Sequence, residues 1–222
     1  MTVAPSSIAA RRRTTGPSGL GLRARNKIDK ARRIVEAAGA VFTERGFDDA
    51  TLREIAARAE VGLGTLFAYA SNKRDLVFLI FIDSLESHTA AAFAAAGPKS
   101  GFVAEIVALF ERYYRFFDRN HALSQLLLRE LYFFSEGIHA ERMRRHWRDV
   151  IERLTRLVQA AQARGAVDPA ADAEGVARIV FALYQAEVRR WLAEPKPNLR
   201  RGVARFAELL ALLVRGCAPQ TR

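Results

Sequence analysis

The segment Leu52 to Lys73, LREIAARAEVGLGTLFAYASNK, holds the residues whose types and spacing offer the clearest chemistry. That chemistry is recognition and not bond-breaking. The spacing predicts two short helices, Leu52 to Arg58 and about Gly62 to Tyr69, with a turn over Ala59 to Val61. Ala56 lets the helices approach closely, and Leu66 packs back beneath the turn. Leu52, Ile55 and Leu66 supply a small core. The outer face of residues 62 to 69 is left free, and the amino-terminal end of a helix attracts phosphate through its dipole and unpaired N–H groups. Such a pair is a helix-turn-helix, the unit that lays its second helix in the major groove of DNA. An ordinary helical hairpin uses the same residue types, and Ile55 or Leu66 alone would mean nothing.

Catalytic and metal chemistry find much less support. Glu130 with His139 or His146 has the residue types of an acid–base pair, but no nucleophile, metal set or phosphate loop accompanies them. The four histidines (His88, His121, His139, His146) and the single Cys217 lack metal-ligand spacing. The chain is expected not to be an enzyme and to need no metal or cofactor. A small helical enzyme is the alternative from another class.

The elements that must position the segment are helical throughout. Ala, Leu, Arg and Glu dominate, and these are strong helix formers; no strand pattern of comparable quality occurs. Ile34, Val35, Ala38, Val41 and Phe42 recur at helical spacing, and Gly46 ends that helix as a C-cap. Thr51 with Glu54 reads as a capping box for the next helix. After Ser71 or Asn72 as cap, a helix runs from Lys73 to about Ala95. Further helices are expected at Phe102 to Phe117 (capped by Ser100), Ala122 to Phe134, Ile138 to Arg164, Ala171 to Ala193 and Asn198 to Arg215. The longest amphipathic run places Met143, Trp147, Ile151, Leu154 and Val158 on one face.

Charge supports this picture by its location more than by its size. The net charge is +11, of which residues 1 to 27 carry +6 through Arg11, Arg12, Arg13, Arg23, Arg25 and Lys27, with no acid. Residues 28 to 80 hold eight basic and eight acidic residues. The expected organisation is therefore a disordered basic arm over 1–27 and a DNA-binding domain over 28–76. A helical domain over 77–216 and a flexible tail over 217–222 complete it. The arm is either a solubilising leader or a contact to phosphates or the minor groove. No signal peptide is apparent, and the apolar runs fall short of the 18 or so residues that span a membrane. A reduced, cytoplasmic protein without a membrane partner is expected.

From Ile34 to Leu76 the sequence resembles the TetR family of bacterial regulators, most clearly in GTLFAY followed by Asn72 and Lys73, with Phe42, Gly46 and Thr51 upstream. The resemblance implies an all-α fold: a three-helix DNA-binding domain, then a helical ligand-binding and dimerisation domain. It implies that Gly62 and Leu63 belong to the DNA-binding stretch, that Gly64 allows close approach to DNA and that Thr65 meets a phosphate or base edge. Phe67 and Tyr69 would lie against the sugar-phosphate backbone, and Lys73 would hold a phosphate. The family usually has Ser where Gly62 stands, an aromatic at Ala70 and often Tyr at Phe67. Leu63 replaces a common polar residue and either touches a thymine methyl or packs.

The resemblance also implies a homodimer on a double-stranded operator with two half-sites, joined through the last two helices. Their apolar faces carry Val176, Ile179, Val180, Leu183 and Tyr184, then Val203, Phe206, Leu209, Leu210 and Leu213. A small apolar or amphipathic effector would lie among Tyr113, Phe117, Phe133, Phe134, Met143, Trp147 and Tyr184 and release a repressor from DNA. Each of these large residues serves equally as core packing. Arg142, Arg144, Arg145 and Arg148 could meet an anionic end, or form a solvated face. A ligand-independent regulator with a filled carboxy-terminal core remains open.

Overall fold

The computed structural model describes residues 21–97, 100–131 and 136–216. Among them the chain forms α1 (Leu22–Asp49), α2 (Leu52–Arg58), α3 (Leu63–Phe67), α4 (Lys73–Ala94) and α5 (Phe102–Asp118). These are followed by α6 (His121–Glu130), α7 (Ala140–Ala163), α8 (Ala173–Leu192) and α9 (Leu199–Gly216). No strand occurs among the described residues. The all-α fold class expected from the sequence is the one observed.

α1 starts at Leu22, six residues ahead of the expected onset at Ile28. Its first three turns have no apolar stripe. Instead Asp29 pairs with Arg32 at 2.6 Å and with Arg33 at 3.5 Å, and Glu36 pairs with Arg32 at 3.0 Å. Such i,i+3 and i,i+4 pairs each add a few tenths of a kcal/mol to an exposed helix. From Ile34 onward the helix buries Ile34, Ala37, Ala38, Val41 and Phe42. Gly46 breaks it with φ 77°, a left-handed conformation that glycine adopts without a Cβ penalty. Of the disordered arm expected over residues 1–27, residues 22–27 are instead the first turns of α1. Residues 1–20, and the tail expected over 217–222, lie outside the described residues.

α4 ties the two halves together. It packs on α1 at one end and on α5, α6 and α7 beyond. It buries Leu76, Val77, Phe78, Phe81, Ile82 and Leu85. By length and composition this helix would pass for a membrane span, which corrects the expectation that no stretch does; here it is a core helix. One continuous core runs from Ile34 through Phe78 to Phe206, so the boundary expected at Leu76 cuts no gap in packing. In the body, α7 lies along α8, while α9 packs on both α5 and α8. Gly202 of α9 backs onto the Trp191 indole so closely that a Cβ there would sit 2.7 Å from its ring.

The buried seam of α7 is Met143, His146, Val150, Leu154, Val158 and Ala161. Trp147 and Ile151, expected on that seam, are half-buried beside it. The cap of α5 is Gly101 and not Ser100.

Candidate nucleic-acid interface

The local signals build the helix pair in the expected place. Thr51 Oγ1 accepts the Glu54 amide at 3.1 Å, which caps α2. Its last turn closes through Ala59 N–H to the Ile55 carbonyl at 2.9 Å and Val61 N–H to the Ala56 carbonyl at 3.0 Å. Glu60 sits between them at φ 53°, a left-handed turn position held by a non-glycine residue. Leu66 is fully buried and pins α3 onto α2, with Ile55, Ala56 and Ala59 also buried.

α3 is shorter than expected, ending at Phe67, because Ala68 and Tyr69 already belong to the following turn. Its cap is Gly62, without a side-chain hydrogen bond. Gly62, Gly64 and Phe67 are exposed, with Phe67 at 45%. A Cβ at Gly64 would meet nothing within 4 Å, so the space above it is free for another molecule's backbone. Thr65 is half-buried. Leu63 is half-buried too and packs against the core.

Both edges of the pair are anchored to α1. The Tyr69 hydroxyl donates to the Lys27 carbonyl at 3.1 Å. Lys73 donates from Nζ to the carbonyls of Phe47 at 2.7 Å and Asp48 at 2.8 Å, and lies 4.9 Å from the centre of the Phe47 ring. One ammonium proton is thus left over by these two bonds. Lys73 and Arg74 line an open cleft of about 620 Å³ with Phe47, Thr51, Leu52 and Asn72. The amino terminus of α4 opens there as well, so partial positive charge and a full one converge.

Residues without a chemical signature in the sequence complete the head's attachment. Asp75 is fully buried. Its carboxylate accepts from Ser71 N at 2.9 Å, Ser71 Oγ at 3.0 Å, Ile138 N at 2.9 Å and His139 N at 2.9 Å. Glu130 accepts from Arg74 at 2.6 Å and from Arg129 at 2.9 Å. His139 meets the Tyr69 carbonyl at 2.9 Å. Buried His146 lies 3.4 Å from Thr89, which also accepts from the Tyr113 hydroxyl at 2.8 Å. Glu130, His139 and His146 are therefore engaged separately, and the acid–base pair imagined from the sequence is not assembled.

The effector residues fare differently from one another. Tyr113, Phe117, Met143 and Tyr184 are buried, and the rings of Tyr113 and Tyr184 pack at 5.8 Å. Tyr184 stacks on Phe110 at 4.1 Å, and Phe206 closes edge-on at 5.5 Å from Phe110. These side chains fill the space they were expected to line. Phe133 and Phe134 lie outside the described residues. Trp147 does line an open groove of about 840 Å³ between α7 and α8.

Residues 34–80, from the buried half of α1 through the start of α4, match the sequence profile of the bacterial regulatory proteins of the tetR family. Over this stretch the chain is similar to tetR-family regulators, and it is a DNA-binding regulator. The regulator is 27% identical over 186 residues to the HTH-type transcriptional regulator YhgD of Bacillus subtilis (strain 168), covering 82% of this chain and 94% of that one. A tetR-family regulatory protein from Rhodococcus RHA1 superimposes with a TM-score of 0.63 at 28% identity, covering 86% of the regulator and 98% of its own chain. FadR of Thermus thermophilus, a TetR-family transcriptional repressor solved with lauroyl-CoA, shares the fold at a TM-score of 0.64 and 23% identity. The match covers 86% of the regulator and 97% of FadR. The relatives of this chain are DNA-binding transcriptional regulators and not enzymes, and the same holds for this protein.

Proposed function

We propose that this regulator is a cytoplasmic, homodimeric repressor that binds a duplex operator of two half-sites and is released by an amphipathic anion with a long apolar body. The observation that carries the effector reading is the α7–α8 groove. Its apolar lining is Trp147, Ile151, Phe181 and Ala182, and its charged lining is Arg144, Arg148, Arg156 and Arg178 with Glu152 and Glu174, a net excess of two positive charges. An apolar lining with a cationic excess suits a ligand with one wet, negative end. The lauroyl-CoA held by Thermus thermophilus FadR has that chemistry. Three of the lining arginines are already paired in the structure, Arg144 and Arg148 with Glu141 at 3.1 and 3.0 Å and Arg178 with Glu174 at 2.7 Å. Arg142 is likewise paired with Asp83 at 2.5 Å and Glu86 at 2.6 Å, so an anionic ligand would exchange partners with surface carboxylates.

On the DNA side, Gly62, Gly64, Thr65 and Phe67 meet the major groove and its backbone, Tyr69 supports them, and Lys73 offers its remaining proton to a phosphate. Dimerisation uses Ile179 and Leu212, exposed at 52% and 57%, with half-buried Leu183, Leu209 and Leu213 between them. Ala182 lines the groove one turn beyond Ile179, so a ligand there presses on the edge of the dimer face. Two half-sites on one face of DNA demand a fixed spacing between heads, and a ligand that alters it weakens binding by the coupling free energy.

Recovery of bound genomic fragments gives the operator. Palmitoyl-CoA and free coenzyme A are then titrated against Trp147 emission, in a Trp191→Phe background, and against operator binding. Quenching or enhancement by the acyl thioester, together with release of DNA, is the expected result. A saturating Trp147 signal with operator affinity unchanged, or no binding at all, would instead favour a ligand-independent regulator. The packed Phe110–Tyr184–Phe206 cluster is what supports that second reading.

A further inference from the structure

We infer that Asp75 is a positioning residue for DNA recognition: it fixes the loop behind α3 to the amino terminus of α7, so that the orientation of the reading helix is set from the body of the protein. A carboxylate out of reach of water is stable only where donors replace its hydration. Asp75 has four such hydrogen bonds, and they come from two different places. Ser71 belongs to the loop that follows α3; Ile138 and His139 form the first turn before α7. The negative charge thus faces the unpaired amides at the start of a 24-residue helix, where charge and helix dipole attract.

Two further observations show how tight this junction is. Gly137 has no room for a side chain: a Cβ there would lie 2.7 Å from Asp75 Oδ1 and 2.9 Å from its carboxyl carbon. The His139 ring forms a second strut, donating from Nε2 to the Tyr69 carbonyl at 2.9 Å, since a carbonyl can only accept. Tyr69 and Ser71 are therefore both held from the α7 corner. The cap of α4, Asn72 accepting the Asp75 amide at 2.9 Å, locks the carboxylate's own backbone into the same joint. Any tilt of α7 must carry residues 69–71 with it, and α3 ends only two residues earlier.

This inference rests on DNA binding alone and needs neither the effector nor the dimer. The test compares Asp75→Asn, His139→Ala and the double variant in the full chain. Affinity is measured for the recovered operator and for random duplex of equal length, with amide hydrogen exchange read in parallel. A loss of position weakens the operator between about fivefold and a hundredfold while affinity for random duplex and its salt slope stay unchanged, because phosphate contacts are untouched. The double variant falls by less than the product of the single effects, since both residues serve one joint. Protection is lost at Ser71, Ile138 and His139 and kept at Leu66. Operator affinity unchanged in folded variants overturns the inference, as does a parallel fall on operator and random duplex. If Asp75→Asn does not fold, His139→Ala decides alone, because it removes only the strut to Tyr69 and leaves the buried carboxylate paired.

Discussion

The Lys73 ammonium lies 2.7 Å from the Phe47 carbonyl oxygen, at the end of α1 and on the rim of the cleft beside α2. A residue placed by family resemblance on a phosphate is thus also an internal clamp. Lys73→Ala should lower stability by roughly 1–3 kcal/mol through loss of charged hydrogen bonds. It should also reduce the slope of log affinity against log salt by about one unit. Urea denaturation and a salt titration of DNA binding check the two parts. A stability loss with an unchanged slope would leave Lys73 as a clamp only.

Glu60 occupies a left-handed turn position at φ 53°, where a Cβ is disfavoured. Its compensation is an ion pair with Arg33 at 3.2 Å, and the Glu60 side chain is 82% exposed. Such a pair is worth at most about 1 kcal/mol and often less. Glu60→Gly should therefore be neutral to stabilising, by up to about 1 kcal/mol, measured as a rise in the urea midpoint. A clear fall would mean that the Arg33 contact outweighs the backbone strain.

Leu212 is an exposed leucine on the last helix, so changing it removes nothing from the monomer's core. Leu212→Glu should leave helix content and melting cooperativity intact while sedimentation shifts from dimer to monomer at micromolar concentration. Operator affinity should fall together with dimer content, because one head reads one half-site. A monomeric variant with full operator affinity would contradict the dimer.

His146 gives a pH dependence with a definite sign. Burial pushes its imidazole below the ordinary value of 6.5; Glu86 and Asp149 oppose this, and Arg142 and Arg153 reinforce it. In the unfolded chain the ring takes up a proton near its ordinary value, whereas the folded chain resists it. The unfolded state then binds more protons, so stability held above about pH 6.5 is lost as pH falls. Thermal melts from pH 7.5 to 5 should show this loss, and His146→Gln should flatten it. His88, shifted the same way by burial, leaves a residual slope in that variant.

The reading head was legible in the sequence because its signals are local. Thr51 and Glu54 are three residues apart, and Gly46 marks the break in α1 directly. The start of α1 was not legible, since Asp29, Arg32, Arg33 and Glu36 stabilise a helix without an apolar stripe. The seam of α7 is legible at Met143, Leu154 and Val158 but one position off between them: Trp147 is the larger apolar residue, yet His146 is the one buried, beside Thr89. Asp75 reads as an ordinary first-turn acid, and its decisive partners lie 63 and 64 residues further on. The aromatics around Tyr184 have the same composition whether they line a cavity or fill one, so packing alone separates the two.

Because α4 gives its buried face to both halves of the molecule, the DNA-binding head is not a detachable module. Cutting after Leu76 would bare the surfaces that Val77, Phe78, Phe81 and Ile82 now cover, and would remove Ile138, His139 and Glu130, the body's partners of Asp75, Tyr69 and Arg74. Heating the intact chain should therefore give one calorimetric peak, with calorimetric and van't Hoff enthalpies equal per cooperative unit, instead of separate melting of head and body. A graft of residues 21–76 onto another body would inherit the residues that touch DNA but not the angle at which they are presented.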